Sequence, residues 1–391
     1  MKVKKYLVVG VPYSDNLGDY AIYDAIQKNL NKKGGEVSTI DISGRRCFAE
    51  RSLSSRVKMK QRLLAVNNNT ARWFFTLTNA MIVSLKSVAF NARMISQSEF
   101  IIIGGGNIFS DNYGNFPVKL FFIYFLIKTL KKPYSVLSVG VGGNWSFLAK
   151  CIFKEIINKA DEVSVRDHRS KALLKEYSIR RNIDVVPDPA VTLGQFYSNT
   201  STEEKGVDVG INVIDWTRIF FSSDLNVKGL QLNYFDIYLH LAIRYLKNQQ
   251  KVTFYTNGAN EDNCYLQRLS EHIFAYDPKL WSQLNFVFVS DYSQLINVIS
   301  GFTKVVSSRL HSIIIASSFL IPSVGLAWDG KVSSFYHMLN FSKGAIQLDH
   351  LNGRSGEEIA NLIEDSFIDK QTLREKIDAM GETFANYIKS L

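Results

Sequence analysis

The chain has 391 residues, of which 46% are hydrophobic and 21% charged, and a formal net charge of +10. That length is too great for one core and suits two α/β domains, while the apolar content is ordinary for a globular protein. The basic balance admits nucleic acid, anionic membrane or phosphorylated substrates, but no Lys/Arg run with interleaved aromatics is present, which argues against nucleic acid.

The first apolar run, Tyr6–Val9, stops at Gly10 and reads as a strand, not as a signal peptide. The loop Gly10–Gly18 leads to a helix from about Asp19 to Lys33, with the acid in its first turn and Gly34-Gly35 as its stop. Glu36–Ile40 is the next strand. Residues 45–93 carry Arg45, Arg46, Arg51, Arg56, Lys58, Lys60 and Arg62 and then turn apolar. They read as a helical insertion. Its basic-then-apolar order suits docking on an anionic bilayer; the plainer reading is a solvated helix beside a core helix. The apolar stretches Trp73–Phe90 and Val118–Leu130 are too short or too interrupted to be membrane spans.

Phe100–Ile103 is a buried-type strand followed by Gly104-Gly105-Gly106-Asn107, and Pro117–Leu130 is a helix apolar nearly all round. Strands Ser135–Val139, Glu162–Val165 and Asp184–Val186 end in Gly140-Val141-Gly142-Gly143, Arg166-Asp167 and Pro187-Asp188-Pro189. The polar stretch Gly194–Gly206 is the expected linker. A second α/β half follows, with strands Val207–Val213, Lys251–Thr256 and Asn285–Val289 and helices Tyr234–Asn248, Asp262–Phe274 and Ser293–Ser300. Next come a strand at Lys304–Ser308, an apolar helix at Arg309–Leu320 and a strand at Ser323–Trp328. The fold class is α/β with two Rossmann-like domains: 1–195 with the insertion at about 45–95, 206–355, and a helical tail over 356–391.

The chemistry gathers at strand ends. In parallel sheets the carboxyl edge is where open α/β folds bind ligands. Asn16, Gly18, Asp19, Gly105, Gly106, Asn107, Gly142, Arg166 and Asp188 all follow strands of the first half. Ser308, Arg309, His311 and Lys331 do so in the second. Arg309 begins a helix, where the dipole disfavours a cation; an anion held between the guanidinium and the exposed N–H groups would account for it. His311 beside these polar groups reads as an acid/base residue, against the plainer reading of a hydrogen-bonded core histidine. The glycine run lacks GxGxxG spacing and no GxxxxGK[ST] occurs, so neither a dinucleotide fingerprint nor a P-loop is present. Neither HExxH nor a close carboxylate pair suggests a metal, and no cofactor is expected. Cys47, Cys151 and Cys264 are far apart without CxxC spacing, which favours a reducing compartment.

The segments NLGDYAI, IIIGGGNIF, SVGVGG, SVRDHRSKALL, VPDPAVTL and SSRLHSIIIASSFLIPSVGLAWDGKVSSF resemble, in order and spacing, the polysaccharide pyruvyl transferase family over about Tyr6–Phe335. The resemblance implies two domains facing across a cleft, similar to GT-B glycosyltransferases. It implies transfer of pyruvate from phosphoenolpyruvate to two hydroxyls of a sugar, forming a cyclic ketal and releasing phosphate. It places donor binding and acid/base work on the RLH motif, here Arg309 and His311. Asp19 or Asp188 would orient the histidine or serve as a second base. Donor contacts fall to Arg309, Lys331, Arg166 and Ser308. Family members often carry a basic residue directly after the first strand of the C-terminal domain, whereas VGINVIDWTR offers only the displaced Arg218. The acceptor side falls to Asn16, Gly18, Gly105, Gly106, Asn107 and Gly142. The expected setting is capsule or exopolysaccharide synthesis in the cytoplasm, at the inner face of the membrane, with a saccharide acceptor that the basic and apolar insertion would suit if it is lipid-linked. Two alternatives stay open: a GT-B-type glycosyltransferase using a nucleotide sugar, and a non-catalytic scaffold.

Overall fold

The computed structural model describes residues 3–48, 69–197, 208–216 and 233–391. The chain divides into two units, one of Met1–Ser14, Ile22–Pro189 and Glu382–Leu391, the other of Asp15–Ala21 and Ala190–Gly381. Each is built on a six-stranded parallel sheet.

In the first unit the strands are β1 (Lys5–Gly10), β2 (Glu36–Asp41), β3 (Phe100–Gly104), β4 (Tyr134–Val139), β5 (Val163–Val165) and β6 (Asp184–Val185), in the order β2-β1-β3-β4-β5-β6. The helices are α1 (Gly18–Lys32, its first residues counted with the second unit), α2 (Asn69–Gln97), α3 (Asn115–Thr129), α4 (Phe147–Lys159) and α5 (His168–Glu176). Helices cover both faces of such a sheet, so its inner strands are apolar on both sides. Leu7, Val9, Ile101, Ile102, Ile103, Val136 and Val139 accordingly lie wholly inside. Trp145 closes one end of this core by stacking on Tyr177 at 4.0 Å and donating its indole N–H to the Phe109 carbonyl at 3.0 Å.

Strand β4 contains a bulge. Val136 pairs with Val163 and Val139 with Val165, so one strand spends an extra residue between the two pairings. The extra turn is taken at Ser138, whose φ is 47°. A left-handed residue other than glycine is costly inside a strand. Ser138 is held there from two sides: its N–H donates to Ser164 Oγ at 3.0 Å and its hydroxyl to the Pro187 carbonyl at 2.9 Å.

The second unit contains the short helix α6 (Gly194–Tyr197), followed by β7 (Asp208–Asn212), α7 (Tyr234–Lys247), β8 (Lys251–Tyr255), α8 (Asn260–Tyr276), α9 (Pro278–Trp281), β9 (Leu284–Val287) and α10 (Tyr292–Ser300). It continues with β10 (Lys304–Ser307), α11 (Leu310–Ser318), β11 (Ser323–Ala327), α12 (Gly330–Met338), β12 (Ala345–Gln347), α13 (Gly356–Glu364) and α14 (Lys370–Ser390, its residues from Glu382 onward counted with the first unit). The strand order is β12-β11-β10-β7-β8-β9. Chain direction across this sheet reverses between β7 and β10, the switch point at which a parallel sheet opens a crevice at its carboxyl edge. Helix α11 is apolar nearly all round and has every residue from His311 to Ser318 buried, as such a helix must in a soluble core.

Two readings of the sequence change. The expected linker at Gly194 begins instead as α6, with Gly194 packed so tightly that a Cβ there would lie 1.8 Å from the Ser318 carbonyl oxygen; the rest of it lies outside the described residues. The stretch taken as too interrupted to span a membrane is one continuous helix, α2, and Thr70–Gln97 is long and apolar enough by length and composition to cross one. Strand β12 and helix α12 had no forecast.

Candidate active site

The polar residues of the second unit meet at the switch point between β7 and β10. Strand β10 ends in Ser307-Ser308-Arg309, and α11 starts at the next residue. Ser307 Oγ accepts the Arg309 N–H at 2.9 Å and lies 3.2 Å from Asn212 Oδ1 at the end of β7. Asn212 Nδ2 donates in turn to Asn257 Oδ1 at 2.9 Å, just past β8. Three strand ends are thus tied by side chains, which rigidifies the floor on which the loop residues stand. Beneath it the Tyr255 hydroxyl and Ser312 Oγ are 2.5 Å apart, joining β8 to α11; burial pushes the Tyr255 phenol above its ordinary pKa.

The segment Asp15–Ala21 belongs to this unit. The Leu17 N–H donates to the Asn257 carbonyl at 2.9 Å, and Tyr20 packs edge-on against Tyr292 at 4.8 Å. Gly18 is where the backbone comes closest: a Cβ would stand 2.6 Å from His311 Cβ and 3.2 Å from Asn257 Nδ2. Asp19 opens α1, where the dipole favours a carboxylate. Its Oδ1 lies 3.3 Å from His311 Nδ1, with His311 buried and Asp19 partly exposed. A carboxylate facing Nδ1 fixes the imidazole's orientation, the geometry of a histidine placed for proton transfer.

Arg309 meets an anion, and it is the protein's own. Asp262, completely buried in the first turn of α8, accepts from Arg309 Nε at 3.0 Å and Nη2 at 2.5 Å, and from the Asp215 N–H at 3.0 Å. Burial pushes the Asp262 carboxyl above its usual range, against the pull of Arg309 and the Asp215 N–H. Burial also opposes the guanidinium charge, but Asp262 outweighs it and holds Arg309 firmly protonated. Lys331 is likewise matched: Nζ lies 3.1 Å from Asp329 Oδ2, and Asp329 caps α12 by accepting the Lys331 N–H at 3.0 Å. Ser308 Oγ and Asn257 Nδ2 are buried here without a hydrogen-bond partner among the described residues. Buried donors of this kind are costly unless something else occupies them. Trp328 donates its indole N–H to the Ser308 carbonyl at 3.0 Å and so fixes that turn.

A second polar cluster lies in the first unit. Arg166 follows β5 with its side chain buried; Nε is 3.3 Å from Asp167 Oδ2 and Nη1 is 3.9 Å from Asp188 Oδ2. Asp167 also caps α5 through the Ser170 N–H at 2.7 Å. Gly140 makes room for the cluster, because a Cβ there would lie 2.8 Å from Asn107 Oδ1 and 2.9 Å from Arg166 Cζ. Gly105 and Gly106 turn with φ of 74° and 73°, which their neighbours in β3 could not do, and Gly106 accepts the Gly140 N–H at 2.9 Å. Gly142 lies against Ser110, 2.8 Å from its Cβ as measured from the added atom.

The structure therefore groups His311, Asp19, Asn16, Gly18, Ser308, Arg309 and Lys331 in the second unit, and Arg166, Asp188, Asn107, Gly105, Gly106 and Gly142 in the first. Asn16, Gly18 and Asp19, read from the sequence with the first half, are carried by the second unit because their loop hydrogen-bonds and packs there. Arg218 lies outside the described residues. Sequence reading missed Asp262, Asn212 and Asn257. The two asparagines carry a signal, a polar residue closing a buried run in GIN and FYTN. Asp262 carries none, since an acid in a helix's first turn ordinarily serves only the dipole.

The family model described as polysaccharide pyruvyl transferase matches residues 16–330. No curated protein matches the sequence significantly. Solved structures match nearly the whole chain. The S. aureus MnaA-UDP co-structure has a TM-score of 0.56 at 12% identity, covering 98% of this chain and 94% of that one. UDP-N-acetylglucosamine 2-epimerase from Rickettsia bellii has a TM-score of 0.53 at 10% identity, covering 99% and 98%. UDP-GlcNAc 2-epimerase from Methanocaldococcus jannaschii, in complex with UDP-GlcNAc and UDP, has a TM-score of 0.50 at 10% identity, covering 97% and 100%. At such identities the likeness is one of fold, two parallel-sheet α/β domains of the GT-B type.

Proposed function

Because the chain belongs to the polysaccharide pyruvyl transferase family, an enzyme family of polysaccharide pyruvylation, we propose that it uses phosphoenolpyruvate to build a cyclic pyruvate ketal on a sugar. The observation that carries this reading is the His311–Asp19 pair, 3.3 Å apart, beside an arginine at the start of α11. The first sugar hydroxyl adds to the enol carbon while the methylene carbon takes up a proton. The carbon–oxygen bond to phosphate then breaks, and the second hydroxyl adds to the same carbon. Two hydroxyl protons leave the sugar; one ends on the new methyl group and one on the departing phosphate. His311 is the proton carrier in this scheme and Asp19 its orienter, a division of labour ordinary for general acid–base catalysis. Ser308 and Asn257 offer unused donors to the donor's phosphate or carboxylate, and the exposed N–H groups of α11 add their dipole. With Asp262 already on Arg309, the guanidinium serves the substrate through its outward face, one quarter of the side chain being exposed. We place the reaction in the cytoplasm at the inner face of the membrane, a setting that three unpaired cysteines accord with, and take the product to serve an exopolysaccharide or capsule.

The direct test is a donor screen with mass detection of the product. Phosphoenolpyruvate with a galactose- or mannose-type acceptor is expected to yield phosphate and a pyruvylated sugar. Turnover of a nucleotide sugar with no use of phosphoenolpyruvate would overturn the proposal in favour of a glycosyltransferase, the alternative that the UDP-bound S. aureus structure keeps in view. A second expectation concerns Gly18. In Gly18→Ala the new methyl would press on His311 Cβ, and activity should fall by about tenfold to a hundredfold from misplacement alone. Steady-state kinetics beside circular dichroism will show whether kcat drops while the fold is kept.

A further inference from the structure

Among the described residues, the first unit exposes an apolar face on two adjoining helices. On α2, Phe74, Phe75, Ile82 and Leu85 are each between 46% and 60% exposed. On the adjoining α3, Phe121 and Phe125, one helical turn apart, are 45% and 54% exposed. Large apolar side chains half in water and grouped on two adjoining helices are what a docking face presents.

Helix α2 also shows what it is fastened by. Ala80, Ser84, Asn91 and Ile95 are buried, at spacings of four, seven and four residues, which is one stripe of a helix. Phe75 and Ile82 fall opposite that stripe, and Phe74 and Leu85 on its flank. The helix is long and apolar enough to cross a bilayer. Its buried stripe, however, binds it along its length to α3 and to the edge of the sheet at β1 and β2. A span would have to carry that stripe, with Asn91 and Ser84, away from the sheet, so the geometry favours a helix lying flat.

Charge identifies what it lies on. Neither α2 nor α3 contains an acidic residue, whereas Lys86 and Arg93 on α2 and Lys128 on α3 are exposed beside the apolar face. Glu155 on α4 is already matched by Lys128 at 3.5 Å and by the Tyr124 hydroxyl at 2.9 Å. A second copy of this basic chain would set like charge against like, and an acidic soluble partner would not need so many exposed aromatics. Aromatic and aliphatic side chains bordered by Lys and Arg on an in-plane helix match the apolar depth and anionic surface of a phospholipid bilayer. We propose that the face of α2 and α3 docks the protein, without spanning, on an anionic membrane. This rests on the surface of the first unit alone and stands whether or not phosphoenolpyruvate is the donor.

The test is co-sedimentation of the full chain with vesicles of phosphatidylglycerol and phosphatidylethanolamine, compared with phosphatidylcholine alone. Pelleting with the anionic vesicles is expected, weaker on the neutral ones and reduced at high salt. The triple change Phe74→Ser, Phe121→Ser, Phe125→Ser should lower vesicle partition at least tenfold, about what is expected for withdrawing even one aromatic from an apolar medium. Lys86→Glu with Arg93→Glu should erase the preference for anionic lipid. All five positions are exposed or half-exposed, so melting temperatures should stay close to that of the parent. Absence of vesicle binding at low salt would overturn the proposal, as would undiminished binding by the serine variant. It would equally be overturned if sedimentation velocity showed a dimer that the serine variant breaks while the parent ignores vesicles.

Discussion

Replacing His311 with alanine is expected to lower kcat by about two to four orders of magnitude, the range for loss of a general acid–base group. The fold should survive, because the Ser312–Tyr255 bond and the buried isoleucines of α11 remain to hold the helix. Asp19→Asn should cost less, since the amide can still meet Nδ1 and hold the ring's orientation. The two variants separate in the pH dependence of kcat/KM. The alanine variant should lose the limb that belongs to the histidine, while the asparagine variant should keep it. A His311→Ala protein with parental turnover would remove His311 from the chemistry.

The second large effect falls on stability. Asp262→Ala strips Arg309 of its carboxylate and leaves the Asp215 N–H without its acceptor. Breaking a buried ion pair by removing one partner costs about 3–5 kcal/mol, and the partial exposure of Arg309 points to the lower end. For a unit of this size that corresponds to a fall of roughly 6–12 °C in melting temperature. The cycle with Arg309→Met decides the cause. If the cost of Asp262→Ala comes from an orphaned guanidinium, it should shrink sharply in the Arg309→Met background, whereas an unchanged cost would assign it to packing.

The pairing of Asp262 with Arg309 also shows where sequence reasoning ends. The strands were legible nearly to their ends because a parallel sheet covered on both faces leaves unbroken apolar runs such as LVV in β1 and FIII in β3. The clustering of polar residues at strand ends followed from the same topology. An arginine at a helix start was read as the mark of an anion held against the helix N–H groups, whereas its partner is the Asp262 carboxylate of α8, more than forty residues away in sequence. Local pattern does not encode that distance. The placement of Asp15–Ala21 with the second unit was hidden for a related reason: NLGD follows β1 in the chain, and only the hydrogen bond from Leu17 to Asn257 reveals where it is held. In α2, polar residues within an apolar stretch suggested interruption. No Gly or Pro occurs from Asn69 to Gln97, so nothing breaks the helix, and Ser84 and Asn91 turn out to be part of its buried stripe.

The bulge at Ser138 has a bearing on how this protein can vary. Side chains alternate along a strand, so one added residue returns everything after it to the faces it would otherwise have left. Gly140, against Asn107 and Arg166, and Gly142, against Ser110, both lie downstream of that added residue. Their positions depend on the number of residues before them more than on which residues those are. A glycine at 138 would adopt the same turn without strain, giving up one hydrogen bond. A deletion there would exchange inside for outside through Val139 and carry both glycines off their partners. The stretch from Tyr134 to Gly142 can change its letters more readily than its length.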